Sequence, residues 1–209
     1  MKNFVPSLVA VVFLNSAVAA DKDESWTALF NGRDLTGWKV VFQDRDKDAD
    51  PAKTFTVKDA ALTVSGKPTC YIHTEKSYAN YVLSYDWRFP EGSSPKSNSG
   101  CLVHIQPPAK VMPKSVEPQG RYEDHGKLFF IGGVKGEQTF DAGAQKKALK
   151  PMGVWSTTEV TCKADGSIMV KLNGVQVSQG KTELTEGPIG FQCEGYEVHF
   201  RNIRIRELK

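Results

Sequence analysis

The nine residues from Tyr81 to Phe89 constrain the fold more than any other stretch. Tyr81, Leu83, Tyr85, Trp87 and Phe89 share one parity, while Ser84, Asp86 and Arg88 lie opposite. A period of two belongs to a strand with one face in an aromatic core and the other toward water. So broad an apolar face needs a second layer to cover it. Similar short runs fill much of the chain. Phe55-Thr56-Val57 and Leu62-Thr63-Val64 flank the turn Asp59-Ala60-Ala61. Residues 158–162 and 168–172 flank Asp165-Gly166, a hairpin turn, and Asn173-Gly174 turns again into Val175-Gln176-Val177. Residues 127–131 and 189–193 read as further strands, as does 197–208. In the last, Val198 and Phe200 share one parity and Ile203 and Ile205 the other, which predicts a bulge near Arg201-Asn202. The one helix expected is short, over 141–149. The pattern predicts an all-β chain, a β-sandwich of two antiparallel sheets with an aromatic interior and a concave outer face.

A second stretch, Lys96 to Gln106, points to binding. Ser97, Asn98, Ser99 and Gly100 make a polar turn. A strand follows, with Cys101, Val103 and Ile105 on one side and Leu102, His104 and Gln106 on the other. This places an imidazole on the more polar face. From Pro107 to Trp155 the chain is rich in Pro and Gly, with one strand expected, and so long an irregular stretch is usually functional or mobile.

The first 20 residues read as a signal peptide: Lys2, an apolar run from Phe4 to Phe13, and small residues predicting cleavage near Ala19 or Ala20. The rest, 21–209, is expected to form one domain, periplasmic or secreted, with no membrane span in the mature chain. Without Lys2 the chain has 26 basic and 24 acidic residues, a net charge of +2. Arg201, Arg204 and Arg206 fit a solvated strand face rather than a nucleic-acid patch. Cys70, Cys101, Cys162 and Cys193 can pair as disulfides in three ways or remain buried thiols. No CxxC occurs. Asp44 to Asp50 lacks the Gly and Glu that a calcium loop needs, so no metal and no other cofactor is expected.

Several marks, in order along nearly all of the mature chain, resemble one family. They are Leu29-Phe30-Asn31-Gly32 with Leu35 and Gly37-Trp38; Tyr81 to Arg88; Asn98-Ser99-Gly100; Glu117 and Gln119; Gly153 with Trp155; Leu172-Asn173-Gly174; Gly187-Pro188-Ile189-Gly190 with Gln192; and Phe200-Arg201-Asn202-Ile203. Together they resemble the 3-keto-disaccharide hydrolase (3-keto-glucoside lyase/hydratase) domain, also called DUF1080. The resemblance implies a concanavalin A-like jelly roll acting on a carbohydrate partner. The chain departs from the family pattern at Pro118, Gly120 and Ser156.

The chemistry implied is elimination. A ketone at C3 of the sugar acidifies the hydrogen at C2, and the resulting enolate expels the glycosidic oxygen at C1. This needs a base, an acid for the leaving group and a donor for the enolate oxygen. Glu117 is the first candidate acid or base, His104 the second, and Arg201 a candidate for the enolate. Asn98, Gln119, Gln192, Asp86, Arg88, His199 and Tyr122 are candidates for binding sugar. Glu117, His104 and Arg201 are expected to converge on one groove. Two rival readings are a non-catalytic carbohydrate-binding module and a hydrolytic glycosidase. The glycosidase would need a second carboxylate, from Asp86, Asp124 or Glu194, roughly 5 to 9 Å from Glu117.

Overall fold

The structure is a computed structural model and describes residues 25–209, so the expected signal peptide lies outside the described residues. Its strands run in chain order from β1 (Thr27–Ala28), β2 (Trp38–Phe42), β3 (Phe55–Lys58), β4 (Ala61–Val64) and β5 (Cys70–Thr74) to β6 (Tyr81–Arg88), β7 (Cys101–Leu102) and β8 (Ser115–Pro118). Then come β9 (Leu128–Ile131), β10 (Gly136–Phe140), β11 (Ser156–Cys162), β12 (Ser167–Leu172), β13 (Val175–Thr182), β14 (Gly190–Cys193) and β15 (Val198–Glu207). Two helices, α1 (Pro51–Thr54) and α2 (Ala142–Ala148), are short.

The strands form two antiparallel sheets, as the alternating pattern predicts. The larger has the order β10-β13-β12-β11-β6-β15-β4-β3, with β1 pairing the far half of β15. The smaller runs β2-β5-β14-β7, and bridges from Val103 to Val116 and from Gly100 to Gln119 attach the β8–β9 hairpin to it. Between the sheets lies the aromatic face of β6. The Tyr85 ring meets Phe191 of β14 edge-on at 5.0 Å, and Phe191 meets Phe200 of β15 at 4.6 Å. Each such side chain, fully buried, contributes about 1.5–3 kcal/mol. Trp38 pins the early segment by donating its indole N–H to the Leu29 carbonyl at 2.8 Å.

The β15 bulge falls where the change of parity places it. Its register against β6 shifts between Arg201 and Arg204, and Asn202 takes a positive φ of 51°. Asp59 and Ala60 both have positive φ in the two-residue turn between β3 and β4. Asp50 accepts from the Ala52 amide as the cap of α1, so this acidic segment starts a helix.

The strand after Gly100 differs from expectation. His104 takes a φ of 55°, which ends the alternation. Cys101 and Val103 face the main core, but Ile105 turns to the opposite face and packs with Leu102 and Tyr71. The His104 ring therefore lies buried between the sheets, edge-on to Tyr81, with Nδ1 3.0 Å from the Leu184 carbonyl. Burial lowers its pKa to about 4.

Candidate active site

The register of the smaller sheet sets out its outer face. Tyr71 pairs with Gln192, the Gln192 amide donates to the Gly100 carbonyl at 2.9 Å, and Gly100 bridges to Gln119. One line further along, His73 pairs with Gly190 and Gly190 with Leu102; Glu117 follows and pairs with Phe129 of β9. Side chains of equal parity project together, so the polar turn 97–100 and the even-numbered residues of β14 come to one place.

There the Glu117 side chain is 5% exposed. Gly100 makes its position possible. A Cβ on Gly100 would run into both the Glu117 Oε1 and the Gln192 Oε1, so these two oxygens converge above that glycine. Burial raises the Glu117 pKa to about 8, with added push from the charges of Glu194 and Asp124. The group is thus a neutral carboxylic acid at pH 7 and can donate a proton. Gln192 Oε1 is buried and has no hydrogen-bond partner. Glu194, next in parity after Gln192, accepts a hydrogen bond from Asn98 Nδ2 at 3.0 Å, and burial raises its pKa also.

The surrounding polar groups hold this arrangement. The Ser99 hydroxyl donates to the Gln192 carbonyl at 2.8 Å, and Gln119 Oε1 accepts from the Arg121 amide at 2.9 Å. Arg121 grips Asp124 through two bonds of 2.8 and 2.6 Å. Asn98 Oδ1 and Ser97 Oγ are buried without partners. Val111, Met112 and Pro113 roof a cavity of about 10 Å³ against Gln192 and Glu194, room for a single water.

Of the residues expected at a site, Glu117, Asn98, Gln119 and Gln192 come together. Asp86, Arg88, His199 and Arg201 do not join them. They lie on the outer face of the larger sheet, with the whole core between them and Glu117. The expected common groove is corrected for a simple reason: β6 and β15 belong to the larger sheet, β8 and β14 to the smaller assembly. On that far face Arg201 Nε donates to Asp86 at 3.3 Å, Arg88 Nε donates to His199 at 3.2 Å, and both guanidinium groups stack on Trp155 at 4.2 and 4.5 Å. His104 is enclosed in the core, and Tyr122 packs against it while donating its hydroxyl to the Lys150 carbonyl. Of the three carboxylates expected as alternatives, Asp86, Asp124 and Glu194, it is Glu194 that shares the parity of Gln192.

A family model for the 3-keto-alpha-glucoside-1,2-lyase-like domain matches residues 25–206. No curated protein matches the sequence. Among solved structures, the chain is similar to a candidate glycosyl hydrolase from Parabacteroides distasonis. The identity is 25% and the TM-score 0.64, with 89% of this chain and 95% of that one covered. The carbohydrate binding module CBM66 from Bacillus subtilis aligns at 12% identity and TM-score 0.55, over 83% of this chain and 98% of the module. A Bacillus licheniformis beta-glucanase aligns at 11% identity and TM-score 0.53, over 88% and 98%. These last two share the fold. Taken with the sandwich and its match over nearly all described residues, the chain belongs to the 3-keto-alpha-glucoside-1,2-lyase-like domain family.

Proposed function

We propose that the chain is an exported enzyme that cleaves 3-keto-glycosides on the outer face of its smaller sheet. One observation carries this reading. The buried carboxyl of Glu117 faces the unpartnered amide oxygen of Gln192 across Gly100, within the field of a second carboxylate, Glu194. Two carboxyl groups in unequal environments suit an acid and a base. Glu194, more exposed and held by Asn98, takes the C2 proton made acidic by the neighbouring ketone. The C1–O bond breaks as the electrons of the C2–H bond form the double bond between C1 and C2. Glu117 gives its proton to the departing oxygen. The products are a free sugar or alcohol and a 3-keto-2-hydroxy-glucal, which addition of water at C1 converts to the 3-keto sugar.

Purified protein given a 3-keto-disaccharide should release free sugar, and Glu117→Gln should lower the rate at least about 100-fold, the usual weight of a general acid. Normal turnover by Glu117→Gln removes that residue from the chemistry. Hydrolysis of an ordinary glycoside is a second reading, favoured by the electrostatic influence of a second carboxylate, Glu194, on Glu117. It predicts turnover of the unoxidised disaccharide, whose C2 hydrogen is not acidic and which elimination leaves untouched. For export, the expected mature chain from a periplasmic fraction starts at Ala20 or Asp21 by mass spectrometry; an intact residue 1 there counts against it.

A further inference from the structure

Beside the Glu117 cluster, on the same face, lies a larger hollow of about 300 Å³ bordered by Tyr71, His73, Ser77, Gln106 and Glu186. Its size falls at the lower end of ligand pockets. Tyr71 borders both this hollow and the small cavity against Gln192. The segment from Pro107 to Pro113 roofs the join, with Pro107 and Ala109 over the larger space and Val111, Met112 and Pro113 over the smaller. Adjacent strands lie about 4.8 Å apart, so β5, which carries Tyr71 and His73, is about 10 Å from β7, which Gly100 directly precedes. Two linked pyranose rings span such a distance.

The lining chemistry suits a neutral polyol. The His73 Nδ1 is 2.8 Å from the Thr74 carbonyl, so Nδ1 carries the proton and Nε2 is left as an acceptor for a hydroxyl. The Tyr71 ring is 1% exposed, and its hydroxyl is buried with no partner. That orphaned group has a ligand's hydrogen bond to make. The His73 ring, half-buried and 5.6 Å from the Tyr71 ring at 34°, offers a π face against which the C–H face of a sugar can pack. Gln106 donates its amide hydrogens to the His104 and Glu186 carbonyls at 3.0 and 2.8 Å, which fixes the side chain and leaves its oxygen as an acceptor.

We propose that this hollow is a second sugar subsite, which holds the leaving-group ring while the 3-keto ring lies toward Glu117. The inference rests on the cleavage reading above for the order of the two rings, and its binding part stands on the hollow alone. It makes Tyr71 and His73 determinants of specificity: substrates with a full second ring use them, and substrates with a small aglycone do not.

Two measurements test it. In the first, a 3-keto-disaccharide is compared with a methyl 3-keto-glucoside. Tyr71→Phe and His73→Ala each should raise KM for the disaccharide about tenfold, the loss of one well-placed hydrogen bond, and leave the methyl glycoside unchanged. Equal effects on both substrates, or none on either, overturn the assignment. The second measurement does not need turnover. Free D-glucose titrated into the Glu117→Gln protein should shift the His73 ring resonances saturably. His73→Ala identifies those resonances by their loss, and retained thermal stability shows that this variant is folded. Absence of a saturable shift overturns the subsite. A saturable shift with no turnover of any keto-glycoside leaves the subsite standing as a sugar site and rejects the cleavage reading and the leaving-group role together.

Discussion

The side-chain oxygens of Glu117 and Gln192 meet directly above the α-carbon of Gly100, on the outer face of the smaller sheet. Three segments far apart in sequence contribute one residue each. The absence of a side chain at residue 100 is what lets the acid and the amide share a single position.

Gly100→Ala is therefore expected to damage the site through volume alone. Residue 100 has no left-handed backbone, so alanine is not excluded by its φ. Its methyl would push Glu117 and Gln192 apart. Overpacking of this kind costs about 1–3 kcal/mol. Turnover of a 3-keto-glycoside should fall at least about 100-fold if Glu117 supplies the general acid. Near-normal kinetics with unchanged melting temperature would mean that the contact over Gly100 has no role.

Stability should peak near pH 6.5. Between pH 4.5 and about 8, native Glu117 keeps a proton that the unfolded chain has lost, so its contribution falls as pH rises through this range. His104 and His125, whose pKa values burial lowers to about 4 and about 3, act in reverse. The unfolded chain protonates them below 6.5 while the native state does not, so stability falls as pH drops. Above 6.5 the Glu117 effect stands without theirs and amounts to at most about 1.4 kcal/mol per pH unit. Urea titrations at pH 5, 6.5 and 8 check this, and Glu117→Gln should flatten the alkaline limb and steepen the acid one.

Arg201→Ala should leave turnover within about twofold and lower stability by about 1 kcal/mol or less, the range of a partly exposed ion pair. Arg201 faces Asp86 and Trp155 on the far side of the core. A large loss of kcat/KM with an intact fold would show that the two faces communicate.

All four cysteines are free and buried. Burial holds the Cys162 thiol up at about 12 and Cys101 well above the ordinary thiol range. A thiol reagent should label none of them in the native protein at pH 8 and all four after unfolding. Rapid labelling of a folded sample would contradict this burial.

The periodic elements were legible in advance because their physics is local. The aromatic alternation of β6, the hairpin at Asp165-Gly166 and the bulge of β15 each follow from parity and turn residues. Five strands escaped: β1, β2, β5, β8 and β10. In β8, Pro118 and the short Ser-Val-Glu run mask the period, and its place depends on bridges to residues 100 and 103. Strand β10 is mostly exposed and polar, and its pairing with β13 gives it away only in three dimensions. At the site, Asn98, Gln119 and Gln192 lie with Glu117, whereas Arg201 and Asp86 do not. Parity tells which side of a strand a residue occupies; it cannot tell which sheet the strand joins. His104 shows another limit, since one residue with positive φ reversed the facing of all that follows it. Tyr71 and His73 were passed over because Cys70–Thr74 is buried at four of its five positions and lacks a polar face to attract notice.

The order β5-β14-β7, with β8 bridged to its edge, joins chain positions near 71, 192, 101 and 117 in that sequence across the sheet. Of those neighbours in space, only β7 and β8 follow one another in the chain. A refolding intermediate containing only the local hairpins of the larger sheet would hold ample secondary structure yet have no assembled Glu117 pocket. Recovery of function would then trail the return of circular dichroism, and a truncated or slowly maturing chain would be inert well before it looked unfolded.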